Sequence, residues 1–385
     1  MRIGFFSSMA GLPWGGSEEL WSRAAQVLLE RGHEVTFNCV KWPTPAARLQ
    51  QLIEAGATPH FRSRLRMGKS LRRALEKLNL VRFKFLEWLR QTKPEFVLIS
   101  FSCHTEDPQI ANTCRMLGIR YAIVLQAAGP GNWVPLSSLA DFQSAYAHAE
   151  RCYFVSAENR QLLEANLAID LSHSEVVDNP FNVSLAASPS WPSMASGWKL
   201  ACAARIHFVS KSQDLLVRVL SMPKWRARPL TVTMFGADDG SLPQLQALID
   251  LHGLRDKLKY AGFADDIEAM WSQHHGLLLP SRMEGNSLSL IEAMMCGRVP
   301  ITTNVGRAAE LIDDNVSGFI APAATGELID EVLERAWQRR NDWQVMGERS
   351  ARIIRQRHSL QPGEDFADRL LAAAAPAKSA SRLAA

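Results

Sequence analysis

Two glutamates, Glu284 and Glu292, stand eight positions apart just after an apolar run, residues 276–280, that has the pattern of a buried strand. A short polar loop, residues 284–287, separates the run from a segment with the pattern of an amphipathic helix. The carboxyl end of a parallel strand would then carry the free amides of a helix N-terminus together with two carboxylates. Because amides bind anions and carboxylates bind hydroxyl groups, the pattern predicts a site for a ligand with both, such as a nucleotide sugar.

Two cations, Arg205 and Lys211, lie six residues apart after another predicted strand, residues 199–204. Positive charge beside a departing diphosphate stabilises the developing oxyanion, and these side chains could supply it without a metal. The alternative is that both side chains form ordinary surface ion pairs.

A glycine pair, Gly15 and Gly16, stands between the first predicted strand, residues 2–7, and the first predicted helix, residues 17–31. Glycines let the backbone approach a phosphate closely, and a following helix N-terminus attracts it. The surrounding residues do not form G-x-G-x-x-G, so a dinucleotide fingerprint is not indicated. A glycine pair before a helix is also an ordinary turn.

These motifs together resemble those of the retaining glycosyltransferases of family 4, which have the GT-B fold. The resemblance rests on the whole string at residues 281–297, with its E-x7-E spacing and its glycines, and it covers most of residues 200–325. Further motifs that contribute are Gly15-Gly16-Ser17-Glu18, Arg31-Gly32-His33-Glu34-Val35, Phe235-Gly236, Tyr260-Ala261-Gly262, residues 297–303, Val305-Gly306, Glu310-Leu311-Ile312 and Ser317-Gly318-Phe319.

The resemblance implies an α/β protein with two doubly wound Rossmann-like domains that face a central cleft. Strand-like and helix-like segments alternate on both sides of residues 184–198, which are rich in serine and proline and predict a linker. We expect an N-terminal acceptor-binding domain at residues 1–183 and a C-terminal nucleotide-sugar domain at residues 199–359. A crossover helix at about residues 360–375 would return to the N-terminal domain, and residues 372–385 would form a frayed tail.

The resemblance also implies roles for the motif residues. Glu292 would bind the ribose hydroxyls, Glu284 would face the donor sugar, and Arg205 and Lys211 would hold the diphosphate. Glu284, Arg205 and Lys211 are therefore the candidate catalytic residues. The predicted donor-binding set is Gly15, Gly16, Arg205, Lys211, Gly262, Glu284, Gly285, Asn286, Ser287, Leu288 and Glu292.

The chain departs from the family pattern in two places. Ala204 and Ser212 stand where family members usually have glycines beside the arginine and the lysine. Gln126 follows a predicted strand at the position where many members have a histidine, and a glutamine cannot act as a base. His104, after the strand that ends near Phe101, is the substitute candidate, so His104 and Gln126 are the predicted acceptor-site residues.

The composition indicates a protein of the cytosol. The six cysteines are scattered without C-x-x-C pairs, which argues against a disulfide framework and against a zinc site. No apolar run reaches the length of a membrane span, and the N-terminus looks like a first strand rather than a signal peptide. We expect a cytoplasmic protein.

One segment, residues 62–91, is strongly basic, with ten Lys or Arg against two Glu. Its apolar residues fall at helical spacing, which predicts either a helix that lies on an anionic membrane or a core helix with a solvated basic face. These residues are Leu71, Leu75, Leu78, Phe85 and Leu89. Nucleic acid is not expected as a partner, because aromatic stacking platforms and a known binding module are missing.

The function that follows is retaining transfer of a hexose from a nucleoside-diphosphate sugar, UDP- or GDP-linked, to a glycan or lipid-linked acceptor. The chain has no D-x-D motif, so we expect neither a metal nor a cofactor. Two alternatives stay open at this point. One is another GT-B enzyme, such as an epimerase or a phosphorylase, and the other is a non-catalytic nucleotide-sugar-binding protein with the same fold.

Overall fold

The computed structural model describes residues 1–63 and 80–376. Its strands are β1 (Arg2–Ser7), β2 (Glu34–Val40), β3 (Thr58–Arg62), β4 (Phe96–Phe101), β5 (Arg120–Leu125), β6 (Arg151–Phe154), β7 (Glu175–Val176), β8 (Trp198–Ala203), β9 (Leu230–Phe235), β10 (Leu258–Gly262), β11 (Gly276–Leu279), β12 (Val299–Thr303) and β13 (Phe319–Ala321). Its helices are α1 (Gly16–Glu30), α2 (Ala47–Glu54), α3 (Leu80–Thr92), α4 (Gln109–Met116), α5 (Leu139–Ala147), α6 (Ala157–Leu167), α7 (Phe208–Lys211), α8 (Gln213–Leu220), α9 (Pro223–Ala227), α10 (Leu242–Leu251), α11 (Ile267–Ser272), α12 (Leu288–Met295), α13 (Ala308–Leu311), α14 (Gly326–Gln338), α15 (Trp343–Arg357) and α16 (Pro362–Ala374).

The N-terminal strands form a seven-stranded sheet in the order β3-β2-β1-β4-β5-β6-β7, and all its pairs are parallel. Its central strands are buried on both faces, which explains their continuous apolar runs. Strands β1 and β4 are neighbours although the chain passes through β2 and β3 between them. This change of direction opens a crevice at the carboxyl ends of β1 and β4.

The C-terminal strands form a second parallel sheet in the order β10-β9-β8-β11-β12-β13. Its switch point lies between β8 and β11, which pair through Gly276 with Leu200 and Leu277 with Ala201. The two sheets confirm the prediction of two doubly wound α/β domains. Each domain has a crevice at the carboxyl end of its first strand, where ligands of such sheets bind.

The last helix, α16, packs on the N-terminal domain although the strands before it belong to the C-terminal one. Phe366, Ala367 and Leu370 are buried in the same core cluster as the inner residues of α1 and β1. The Arg120 guanidinium donates to the carbonyl of Ala374 at 2.8 Å, and the Tyr153 hydroxyl donates to the carbonyl of Arg369 at 3.1 Å. The segment for which the resemblance implies a crossover, residues 360–375, therefore fastens the chain end to the first domain.

The basic segment is described only in part. Helix α3 buries Phe85, Trp88 and Leu89, whereas Val81 and Phe83 are exposed. The predicted apolar positions Leu71, Leu75 and Leu78 lie outside the described residues, as does most of the predicted tail. Within residues 1–63 and 80–376, no helix combines the length and the apolar character that crossing a membrane requires.

Candidate active site

The loop at residues 284–287 leaves the carboxyl end of β11 and leads into α12, beside the residues that follow β8. Its backbone is held there by two bonds, because the amides of Arg282 and Met283 donate to the carbonyl of Ser210 at 2.9 and 3.2 Å. The two motifs that the sequence places 70 to 80 residues apart are thus brought together at the switch point of the C-terminal sheet.

The centre of this arrangement is an ion pair between Lys211 and Glu284. Lys211 Nζ lies 2.6 Å from Glu284 Oε1, and the Ser281 hydroxyl donates to the same oxygen at 2.7 Å. Both charged side chains are largely buried, with 17% and 10% of their surface exposed. Charges removed from water interact strongly and respond strongly to a bound anion. Ser281 was not predicted from the sequence, although it lies inside the E-x7-E string.

Arg205 lies at the rim of the same crevice. Its guanidinium contacts Asp239 Oδ2 at 3.2 Å, and 38% of the side chain is exposed. Because the pair is partly solvated, an incoming diphosphate could replace the Asp239 carboxylate as partner. Gly11, in the loop after β1, is also near Asp239, which places the N-terminal domain on the opposite side of this rim.

The turn between Lys211 and α8 is strained at Ser212. This residue has φ 58° and ψ 35°, the left-handed region that favours glycine. Its buried hydroxyl has no hydrogen-bond partner among the described residues. The turn therefore retains the backbone conformation that a glycine would adopt more readily, while Lys211 keeps its place.

Two helix N-termini face each other across the cleft. The first residue of α1, Gly16, lies against the first residue of α12, since a Cβ added to Gly16 would stand 3.1 Å from Leu288 Cδ1. Ser287 precedes α12 without a side-chain capping bond, and Gly15 precedes α1 in extended conformation. The first turn of α1 already carries Glu18 and Glu19, whereas the first turn of α12 has no acidic residue and no side-chain cap, so the amides of α12 are the ones suited to an anion.

Glu292 points from α12 toward the segment just before the interdomain linker. Its Oε1 accepts from the amide of Asn182 at 3.0 Å and from the Asn182 side chain at 3.1 Å. Arg23 of α1 donates to Asn182 Oδ1 at 2.8 Å, so Asn182 connects both domains. Burial raises the pKa of Glu292 to about 7, although the bonds from Asn182 oppose this. Asn182 lies 110 residues before Glu292, which is why sequence spacing could not reveal the contact.

Gly285 lies in close contact with the N-terminal domain. A Cβ added there would stand 1.9 Å from the carbonyl oxygen of Gln126 and 2.5 Å from Val155 Cγ2. Gln126 is thus placed at the loop that carries Glu284. Its buried side-chain Nε2 has no hydrogen-bond partner among the described residues.

Asn286 is held inward rather than toward the cleft. Its side chain is buried, with Nδ2 at 3.4 Å from His358 Nε2, and its carbonyl accepts from Asn179 Nδ2 at 3.0 Å. Burial lowers the pKa of His358 to about 4, so this imidazole is neutral near pH 7. The side chain of Asn286 therefore shapes the loop, and its backbone amide is the group left for a ligand.

Gly262 ends β10 at the outer side of the cleft. It has φ 78°, a Cβ added to it would meet no atom within 4 Å, and its carbonyl accepts from the amide of Gly236 at 2.8 Å. The next residue, Phe263, is 75% exposed. This open backbone corner beside an exposed ring can receive a flat aromatic group.

His104 is buried, unlike an acceptor-contacting side chain. Its Nε2 is bonded to the carbonyl of Asn132, and its backbone amide donates to the carbonyl of Ala127 at 3.1 Å. Burial lowers its pKa, but the bonds to Cys103 and Asn132 outweigh this and raise it overall. The structure thus places His104 under the loop after β5, where it holds Asn132 and the neighbouring Trp133.

Two buried ionisable residues, Glu18 and Arg62, lie below the β1–α1 loop, and the sequence analysis gave neither of them a role. Glu18 accepts from Trp21 Nε1 at 3.1 Å, and burial raises its pKa to about 7. Arg62, at the end of β3, is bonded to Asn38 and to the carbonyl of Ser7 and lies over the Phe6 ring.

Residues 1–63 and 80–376 contain no group of three His, Cys, Asp or Glu residues placed to hold a metal ion.

Comparison with known proteins gives a family match over part of the chain and a fold. Residues 198–336 match the family model described as glycosyl transferases group 1. Alpha-D-kanosaminyltransferase of Streptomyces kanamyceticus is 30% identical over 134 residues, which are 34% of this chain and 35% of that protein. Glycogen synthase of Pseudomonas syringae pv. syringae is 37% identical over 73 residues, 19% of this chain and 15% of the synthase. The chain therefore matches only about a third or less of these relatives' length.

Solved structures match nearly the whole chain. HepE of Anabaena in complex with UDP has a TM-score of 0.73 at 16% identity, with 97% of this chain and 100% of that chain covered. Sucrose-phosphate synthase of Thermosynechococcus elongatus has a TM-score of 0.75 at 14% identity, with coverages of 97% and 100%. At such identity the likeness establishes the fold, which is GT-B, and the match to the group 1 glycosyl transferase model lies within its C-terminal half, at residues 198–336.

Proposed function

We propose that the protein is a retaining, metal-independent glycosyltransferase that moves a hexose from a nucleoside-diphosphate sugar to a glycan or lipid-linked acceptor. The observation that carries the proposal is the buried Lys211–Glu284 pair, whose carboxylate stands on the loop that leads into the N-terminus of α12. A cation, free amides and a carboxylate meet there, which matches the phosphates and hydroxyls of such a donor.

The donor would lie along the C-terminal domain. Its base would occupy the corner at Gly262, its ribose would bond to Glu292, and its diphosphate would lie between Arg205, Lys211 and the amides at the start of α12. Binding would require the ribose to displace Asn182 from Glu292. HepE is found in complexes with UDP and with UDP-glucose, so we take UDP as the first carrier to test.

The reaction would break the bond between the anomeric carbon and the diphosphate oxygen and form a bond to the acceptor hydroxyl on the same face. Lys211 and Arg205 would neutralise the charge that develops on the leaving oxygen. That oxygen would take the acceptor proton, so no protein nucleophile is required. Glu284 would hold the sugar hydroxyls and fix the orientation of the anomeric carbon.

The acceptor would bind on the N-terminal domain, close to Gln126, with His104 supporting the loop that carries the exposed Trp133.

We also propose peripheral membrane contact at the cytoplasmic face through the segment at residues 62–91. Its described part offers Phe83 and Val81, which are 59% and 51% exposed, beside Arg82 and Lys84. Co-sedimentation with vesicles containing anionic lipid tests this, and equal binding of Phe83→Asp and the unchanged protein would contradict it.

Calorimetric titration with UDP, GDP and ADP, repeated with Lys211→Ala, tests the donor site. We expect one nucleotide to bind and the variant to bind it at least about tenfold more weakly, because a buried charged contact is lost. If no nucleotide bound, the donor assignment would be wrong. Product analysis with and without acceptor then separates the alternatives, since an epimerase changes the sugar nucleotide alone and a non-catalytic protein leaves it intact.

A further inference from the structure

The two domains exchange hydrogen bonds through a pair of glutamates, Glu158 and Glu310. Glu158, in the first turn of α6, accepts from the amide of Gly306 in the C-terminal domain. Glu310, in α13 of the C-terminal domain, accepts from the amide of Ala157 at 2.9 Å. Ala157 is the first residue of α6, so Glu310 also lies at the positive end of that helix. We call these two carboxylates and their two amide partners the reciprocal clasp.

Arg307 joins the clasp to the rest of the domain junction. Its Nε lies 3.0 Å from Glu310 Oε2, and its guanidinium is bonded to Asp178. Asp178 in turn accepts from the amide of Ser359 at 2.7 Å, just before α16. Only 12% of the Arg307 side chain is exposed, so its charge is balanced by Glu310 and Asp178 rather than by water.

The clasp is directly connected to the loop at residues 284–287. The amide of Arg307 donates to the carbonyl of Gly285 at 2.9 Å. Gly306, at φ 61°, packs so closely that an added Cβ would stand 2.1 Å from that same carbonyl. Gly285 is the neighbour of Glu284 and is pressed on its other side against Gln126 of the N-terminal domain. The position of Glu284 is therefore set by residues that the clasp holds.

From this geometry we infer that Glu158 and Glu310 are positioning residues that couple closure of the two domains to the placement of Glu284. Each carboxylate bonds to an amide of the opposite domain, so both bonds form only when the cleft is closed. Opening the cleft would release Gly306 and Arg307 and with them one side of Gly285. Neither glutamate needs to touch a substrate for this effect.

The consequence for transfer rests on the proposed function, but the coupling itself does not. Hydrogen–deuterium exchange of the ligand-free protein measures the coupling, with the amides at residues 285–288 as the readout. We expect faster exchange there in Glu158→Ala and in Glu310→Ala. Glu327→Ala is the matched control, because Glu327 forms an exposed ion pair with Arg218 inside one domain. Exchange at residues 285–288 that is unchanged in both clasp variants would overturn the inference.

Steady-state kinetics distinguish the proposed coupling from a purely structural role of the two glutamates. We expect kcat to fall by about ten- to a hundredfold in either alanine variant, because small displacements of a reacting geometry are costly. The dissociation constant for the nucleotide should change less than about threefold, since the clasp contacts no donor group. Glu158→Gln, which keeps a carbonyl acceptor for Gly306, should retain most of the activity. Equal losses in all variants, or parallel losses of thermal stability and rate, would contradict the inference.

If the unchanged protein bound no nucleotide and transferred no sugar, the proposed function would fail. The exchange experiment would still decide whether the clasp controls the loop. The two failures are therefore distinguishable.

Discussion

At the scale of single residues, the sequence pattern identified the charged groups but not their partners. Motif spacing in the sequence points to Glu284, Lys211 and Arg205, and the structure places these residues in one crevice. The partners Ser281 of Glu284 and Asp239 of Arg205, like Asn182 of Glu292, are common polar residues that no motif spacing marks as partners. Asp239, for example, lies 34 residues from Arg205 and reaches it only because β8 and β9 pair side by side.

Ser212 offers a test of backbone strain next to Lys211. A non-glycine residue at positive φ costs about 1 kcal/mol or more, and the buried hydroxyl adds an unsatisfied group. Ser212→Gly should therefore stabilise the protein by about 1 kcal/mol, reduced somewhat by the greater freedom of glycine when unfolded. Denaturant-induced unfolding measures this, and a lower midpoint in the variant would contradict the account.

Glu18 predicts a pH dependence of stability. Burial raises its folded-state pKa to about 7 from an ordinary value of 4.5, so between these values the folded state binds more protons than the unfolded state. Stability contributed by this group is then full below about pH 4.5 and falls as the pH rises toward 7. Glu18→Gln should reduce this slope and raise the melting temperature at about pH 8, above both pKa values. The same slope in the variant and in the unchanged protein would show that Glu18 ionises freely.

At the scale of elements, the apolar central strands were predictable, whereas of the four edge strands the sequence predicted only β10 (Leu258–Gly262). Strands β3, β7 and β13 were absent from the sequence-based prediction, and all three lie at a sheet edge. β3 is mostly half-exposed and contains Pro59, while β7 has two residues and β13 three. Edge strands bury little surface and so lack the apolar run on which strand prediction depends.

The loop between β11 and α12 requires glycine at residue 285. Gly285→Ala would place a methyl group 1.9 Å from the Gln126 carbonyl, which only separation of the domains can relieve. We expect transfer to fall at least about a hundredfold while the nucleotide, which the proposed function places on the C-terminal domain, still binds. Gly131→Ala is the control, since no atom lies within 4 Å of the added methyl. Steady-state kinetics with calorimetry check this, and full activity of Gly285→Ala would refute the close approach.

At the scale of the whole molecule, the last helix, α16, packs the end of the chain against the N-terminal domain. Phe366 is 1% exposed and packs against Tyr153 with ring centroids 5.1 Å apart. Phe366→Ala should destabilise the N-terminal domain by about 3 to 5 kcal/mol through the cavity it leaves. Calorimetric melting should show one transition lowered while the nucleotide still stabilises the other. Equal lowering of both transitions would indicate that the domains unfold together.

The two-domain arrangement itself could be predicted from the sequence, because strand–helix alternation restarts after the linker. The contacts between domains were not, since they depend on how two separately folded sheets dock. In the sequence Glu158 looks like an ordinary helix-surface residue and Glu310 is a motif residue without an assigned role, and only the facing amides of Gly306 and Ala157 give them one.

The measurement that tests the central claim most directly is the rate of sugar transfer by Lys211→Ala compared with Lys224→Ala. Lys224 is a lysine of the same domain whose ion pairs with Asp330 and Glu334 lie away from the cleft. We predict that transfer by Lys211→Ala falls about a hundredfold or more, because the charge proposed to stabilise the leaving diphosphate is lost, while Lys224→Ala keeps its rate. A near-normal rate in correctly folded Lys211→Ala would contradict the assignment of this crevice as the diphosphate site.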